Sequence, residues 1–91
     1  MVIVRKFIRE KSFDSAMQSI ARTYQRMDEL DLAIEWGLER DPDRFYNIAG
    51  DFFLWKTEKL VNGTPALRIL YKYSGPPDHC VTLCALSEVP D

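Results

Sequence analysis

The sequence predicts an α+β domain: a short N-terminal strand, a two-helix hairpin, then an antiparallel meander sheet. Apolar residues recur at helical spacing between positions 13 and 38, and after position 52 they alternate at strand spacing. Two turn-forming clusters, Asn62-Gly63-Thr64-Pro65 and Ser74-Gly75-Pro76-Pro77-Asp78, separate three strand-like runs by loops short enough to join antiparallel neighbours. The 91 residues leave room for one domain, 1–91, and a content of 46% hydrophobic, 29% charged and 12% aromatic residues is that of a folded chain.

Val2 to Ile8 is apolar and β-branched and reads as the first strand. Ser12 or Asp14 is the expected N-cap of the first helix. Phe13, Ala16, Met17, Ile20, Ala21 and Tyr24 then share one helical face. A second stripe follows through Met27, Leu30, Ala33 or Ile34, and Leu38. Asp28, Glu29 and Asp31 crowd its first turn, where the helix dipole favours anions. Asp41-Pro42 ends it, because the residue before proline is pushed out of helical geometry. No glycine or proline parts the two stripes, so one bent helix is an alternative to a hairpin turning near Gln25–Asp28. Trp36 is expected to pack in the core at the helix–sheet junction.

Phe45–Ala49 reads as a short strand or an extended linker, closed by Gly50-Asp51. Strands follow at 52–61, 67–73 and 80–86. On the first of these, Phe53, Trp55 and Thr57 face one side while Phe52, Leu54 and Lys56 face the other. On the second, Arg68, Leu70 and Lys72 are opposed to Leu67, Ile69, Tyr71 and Tyr73. A loop at 62–65 would place Lys59 opposite Arg68, and a turn centred near Pro77 would place Arg68 opposite Leu86. Two cations facing each other across a ladder are unfavourable unless an anion sits between them. That pairing is the main sign of a phosphate site.

The net charge of −2 hides a division. Residues 1–13 carry +3, 14–51 carry −5, 52–75 carry +3 and 76–91 carry −3. Attraction to phosphate would therefore be local to the sheet. The carboxylates of 28–43 read as a solvated helical face or, more sharply, as a surface for a basic partner. No run approaches the roughly 18 apolar residues of a membrane span, and the N-terminal charges follow rather than precede a short apolar run, so a cytoplasmic location is expected. Cys80 and Cys84 stand on one face of a strand about 13 Å apart, too far for a disulfide. They read as buried thiols. A metal pair with His79 would lack a fourth ligand. His79 itself reads as an exposed turn residue. No nucleotide loop or metal motif is present, and no cofactor is expected. What remains is a cationic group, Lys56, Lys59, Arg68 and Lys72, with Tyr71 and Tyr73 nearby. Either these are ordinary solvated charges or they form a concave patch that holds phosphate oxygens.

The order strand, two helices, three-stranded meander resembles the RelE/ParE toxin family. Leu38-Glu39-Arg40-Asp41-Pro42 is similar to the family's second-helix ending. Leu67-Arg68-Ile69-Leu70-Tyr71-Lys72-Tyr73 is similar to its arginine-aliphatic-aliphatic-tyrosine central strand, and Val81-Thr82-Leu83-Cys84-Ala85-Leu86 to its closing strand. The resemblance implies the toxin-like component of a toxin–antitoxin pair, with an antitoxin protein as partner. In the ribosome-dependent nucleases of the family the substrate is mRNA on the ribosome. By position Arg68, Lys56 and Lys59 would then be catalytic, and Lys72, Tyr71 and Tyr73 would bind RNA. Those nucleases carry a basic or tyrosine-containing tail, whereas Ser87-Glu88-Val89-Pro90-Asp91 is acidic. The ParE branch, which resembles gyrase inhibitors, needs no such tail. A non-catalytic module that binds gyrase or another protein is therefore the second expectation.

Overall fold

A computed structural model describes residues 5–24, 27–57 and 65–89. The chain runs β1 (Lys6–Arg9), α1 (Lys11–Ala21), α2 (Met27–Arg40), β2 (Tyr46–Ala49), β3 (Phe52–Lys56), β4 (Leu67–Ser74) and β5 (Cys80–Glu88). The fold is α+β, in the expected order of strand, helices and strands. The five strands form one sheet in the order β1-β5-β4-β3-β2.

The meander β3–β4–β5 is antiparallel as expected, but the sheet as a whole is mixed, because β1 lies parallel to β5. The two helices between β1 and the meander carry the chain back across the sheet, as a parallel pairing requires. Within the described residues β1 begins at Lys6 and runs one residue past Ile8. Its ladder with β5 extends from Lys6 opposite Cys80 to Arg9 opposite Leu83. The 46–49 segment is a strand, joined to β3 by a turn in which Gly50 takes a positive φ of 55°.

Both helices cover one face of the sheet. Phe13, Met17 and Ile20 of α1 and Met27, Ile34 and Leu38 of α2 form one buried cluster with Leu67, Ile69, Tyr71, Val81, Leu83 and Leu86. Expected and observed stripes agree except at Ala21, which is exposed, and the helices are two, separated between Ala21 and Met27. The cap differs. Glu10 holds the N-cap position without a side-chain capping bond. Ser12 Oγ donates instead to the Cys84 carbonyl at 2.6 Å, and Asp14 accepts from Arg9 Nε at 2.6 Å.

Trp36 is not in the core: it is 64% exposed. Gly37 is the residue that α2 turns toward the sheet, and a Cβ there would meet the Trp55 ring at 3.1 Å. Trp55, stacked on Phe45 at 4.3 Å, takes the junction role expected of Trp36.

The acidic helical surface is also explained within the chain. Arg9 bonds Asp14, Asp31 and Glu35 at 2.6, 2.8 and 3.0 Å, and lies 5.0 Å from the Phe13 ring centre. These carboxylate bonds hold the guanidinium pKa above its ordinary value, against the opposing effect of burial. Arg5 donates from Nη1 to the Glu39 carbonyl. The positive N-terminal segment and the negative helical one thus meet each other, and two of the acids expected on a solvated face or a docking surface, Asp31 and Glu35, are engaged by Arg9 of β1.

A bulge shapes the last strand. Tyr71 pairs with Leu83 and Leu70 with Ala85, so Cys84 has no opposite residue. The alternation resets there, and Val81, Leu83 and Leu86 are the buried positions. Both cysteines are half-buried rather than buried. Burial, with Glu10 beside it, pushes the Cys84 thiol up to about 11, and Lys72 opposes the shift.

Candidate functional site

Helices occupy one face of the sheet, so the residues alternating out of phase with the core make up the other. Three rows cross the meander there. Lys56, Arg68 and Ser87 form the first; Leu54, Leu70 and Ala85 the second; Phe52, Lys72 and Thr82 the third. Strand alternation places them, and two features of the ladders set which residues meet.

The first is the bulge at Cys84. The turn is centred at Pro77 as expected, since Ser74 pairs with Cys80 and Tyr71 with Leu83. Past the bulge the register shifts by one, and Arg68 faces Ser87 instead of Leu86. The second is the register of the β3–β4 hairpin, regular throughout, which sets Lys56, not Lys59, opposite Arg68. Pro65 precedes β4, and Thr57 closes the ladder: its N–H donates to the Leu67 carbonyl at 2.8 Å and its Oγ1 accepts from the Leu67 N–H at 2.8 Å. Lys59 lies outside the described residues.

The structure thus brings Lys56 and Arg68 into a directly opposed pair of exposed cations. Among the described residues no carboxylate lies within 4 Å of either. Like charges opposite one another in a ladder cost stability, and an anion between them removes the cost. Glu88, the acid of the C-terminal segment next to this row, is turned away. Its Oε1 accepts from the Tyr24 hydroxyl at 2.7 Å.

Beside the pair the sheet surface is hollowed. Ile48, Leu54, Leu70, Ala85 and Leu86 line a concavity of about 330 Å³, with Arg68 and Ser87 on its wall. It can hold an apolar or planar group while the guanidinium fork takes two oxygens of an anion.

The other expected binding residues do not join the pair. Lys72 is on the same face but four positions from Arg68, about 13 Å along the strand. Tyr71 and Tyr73 face the helices. Tyr71 is fully buried, stacked on Phe53 at 5.4 Å, and its hydroxyl donates to the Pro42 carbonyl at 2.5 Å. Burial, helped by Asp43, raises its pKa. Tyr73 is half-buried against the same core. Neither can stack on a base held beside Arg68. The tyrosines' strand parity was legible in the sequence; Ile48 and Ser87 were missed, because β2 and the bulge set their places.

His79 differs from its expected role as an exposed turn residue. It is half-buried, with φ at 47° and Nδ1 buried without a hydrogen-bond partner. Its carbonyl accepts from the Lys6 N–H at 2.9 Å, which ties the turn to β1. Among the described residues no group of three or more His, Cys, Asp or Glu is placed to hold a metal ion. No helix among them is long and apolar enough to cross a membrane. No family model matches the chain, and no curated protein matches it.

Proposed function

We propose that this chain is a toxin-like protein of the RelE/ParE kind that binds RNA phosphate on the open face of its sheet, in the cytoplasm, under control of an antitoxin. The observation that carries the reading is the opposed pair Lys56 and Arg68, which lacks a carboxylate partner among the described residues and borders a hollow that can accept a base. The resemblance of the central strand adds to it. In this reading mRNA on the ribosome is the substrate. Arg68 stabilises charge on the phosphate, Lys56 neutralises it, and the apolar row of Leu54, Leu70 and Ala85 excludes water beside the contact.

One observation favours a second reading, binding without cleavage. The ladder neighbours of the pair are Ser87, Leu54, Leu70 and Ala85, which offer one hydroxyl and neither carboxylate nor imidazole for proton transfer. The same surface would then hold an anionic segment of gyrase or another protein.

Induction in bacterial cells separates these readings. The first requires growth arrest, relieved by Arg68→Ala, with new 5′-hydroxyl ends in translated mRNA. Arrest with intact mRNA and recovery of a topoisomerase selects the second. Normal growth with unaffected translation overturns both.

A further inference from the structure

The hollow on the open sheet face keeps its apolar and polar groups apart. Ile48, Leu54, Leu70 and Ala85 give it an aliphatic floor, and the polar groups of its lining, the Arg68 guanidinium and the Ser87 hydroxyl, stand together in the neighbouring row. Lys56 completes that row opposite Arg68. From β2 to β5 the lining spans three inter-strand spacings, about 14 Å. Backbone N–H and carbonyl groups lie in the plane of the sheet and, on the central strand β4, are taken by β3 and β5. The floor therefore offers none of them to a ligand lying on it.

An occupant of such a hollow must carry its polarity at one end. An extended peptide does not, because amides laid across the floor lose water and gain no partner. A methylene chain has no such groups to desolvate. A carboxylate at its end meets a guanidinium fork and a second cation, and no carboxylate of the described residues neutralises either. We infer that the hollow takes a free aliphatic carboxylic acid, as its anion, with the head between Lys56 and Arg68 and the chain over Leu54, Leu70 and Ala85. The acid uses the cation pair of the proposed RNA contact, so it excludes RNA when bound, but its own binding does not require that RNA be a ligand.

Titration of the full chain with the saturated acids from butyrate to octanoate, read by methyl and amide chemical shifts, tests this. Octanoate gives saturable shifts at Leu54, Arg68, Leu70 and Ala85. A fully buried methylene is worth about fourfold in affinity, and in an open hollow about twofold, so affinity climbs about twofold with each methylene of the series. Octylamine, which sets a cation against the pair, binds at least about tenfold more weakly than octanoate. Arg68→Ala weakens octanoate at least about tenfold. Leu70→Thr, which keeps a strand-forming side chain, flattens the dependence on chain length. Equal affinity for butyrate and octanoate, shifts that do not saturate, or shifts centred on the helices overturn the inference, and this series on the parent chain needs no variant. Shifts at these residues from anionic lipid vesicles or an acidic peptide, with octanoate inert, overturn it too. RNA binding with octanoate inert overturns the inference and leaves the RNA reading standing; octanoate binding with no response to RNA does the reverse.

Discussion

Replacing Arg9 by methionine should unfold this protein at a markedly lower temperature. The guanidinium sits among Asp14, Asp31 and Glu35 at 2.6 to 3.0 Å, and so joins β1 to both helices. Methionine keeps the stem over the Phe13 ring but leaves three carboxylates close together with no counter-charge. Breaking a fully buried ion pair costs about 3–5 kcal/mol. Here the arginine is 23% exposed and the acids 26% to 46%, so solvent screens part of the loss. We take about 2 kcal/mol as the net effect. For a domain of this size that lowers Tm by about 10 °C, measured by circular dichroism at 222 nm. Because the residual repulsion is screened, the difference from the parent should narrow in 1 M salt. A change in Tm below about 2 °C would show that the three contacts contribute nothing beyond exposed pairs.

Two further expectations concern packing and thiol chemistry. Gly37→Ala gains helix propensity worth up to about 1 kcal/mol, but its Cβ meets a Trp55 ring already held against Phe45. A net loss of about 1 kcal/mol in urea denaturation is expected, and a gain would show that Trp55 yields. For Cys84, a thiol raised to about 11 is roughly 1% ionised at pH 9. In a Cys80→Ser background, labelling by a disulfide reagent at pH 9 should be at least about tenfold slower folded than in denaturant. Because the folded pKa lies above the unfolded one, the linked stability is present below about pH 8.5 and is lost as pH rises toward 11. A Cys84→Ser variant should therefore lose less stability between pH 8 and 11 than the parent.

The helical stripes, the strand parity on 52–56 and 67–73, and the turn at Pro77 were legible because each rests on a local period or a strong turn former. The parallel placement of β1 was not, since nothing in a four-residue strand states which neighbour it joins. The bulge at Cys84 left no local mark either, yet it decides that Ser87 faces Arg68. Trp36 was misplaced because an aromatic beside an apolar stripe is ordinarily core. The decisive residue was its neighbour, Gly37, whose lack of a side chain admits Trp55. For the site, the idea of a cation opposite Arg68 was sound, but the loop length was misjudged, so Lys56 took the place expected of Lys59.

The central claim is that Lys56 and Arg68 together hold an anion on the open sheet face. Amide chemical-shift mapping with a short single-stranded RNA at low salt tests it on the intact chain. The account predicts perturbations confined to Leu54–Lys56, Leu67–Leu70 and Ala85–Ser87, and their loss in Arg68→Ala. Perturbations centred on the helices, or an unchanged response in that variant, would contradict it.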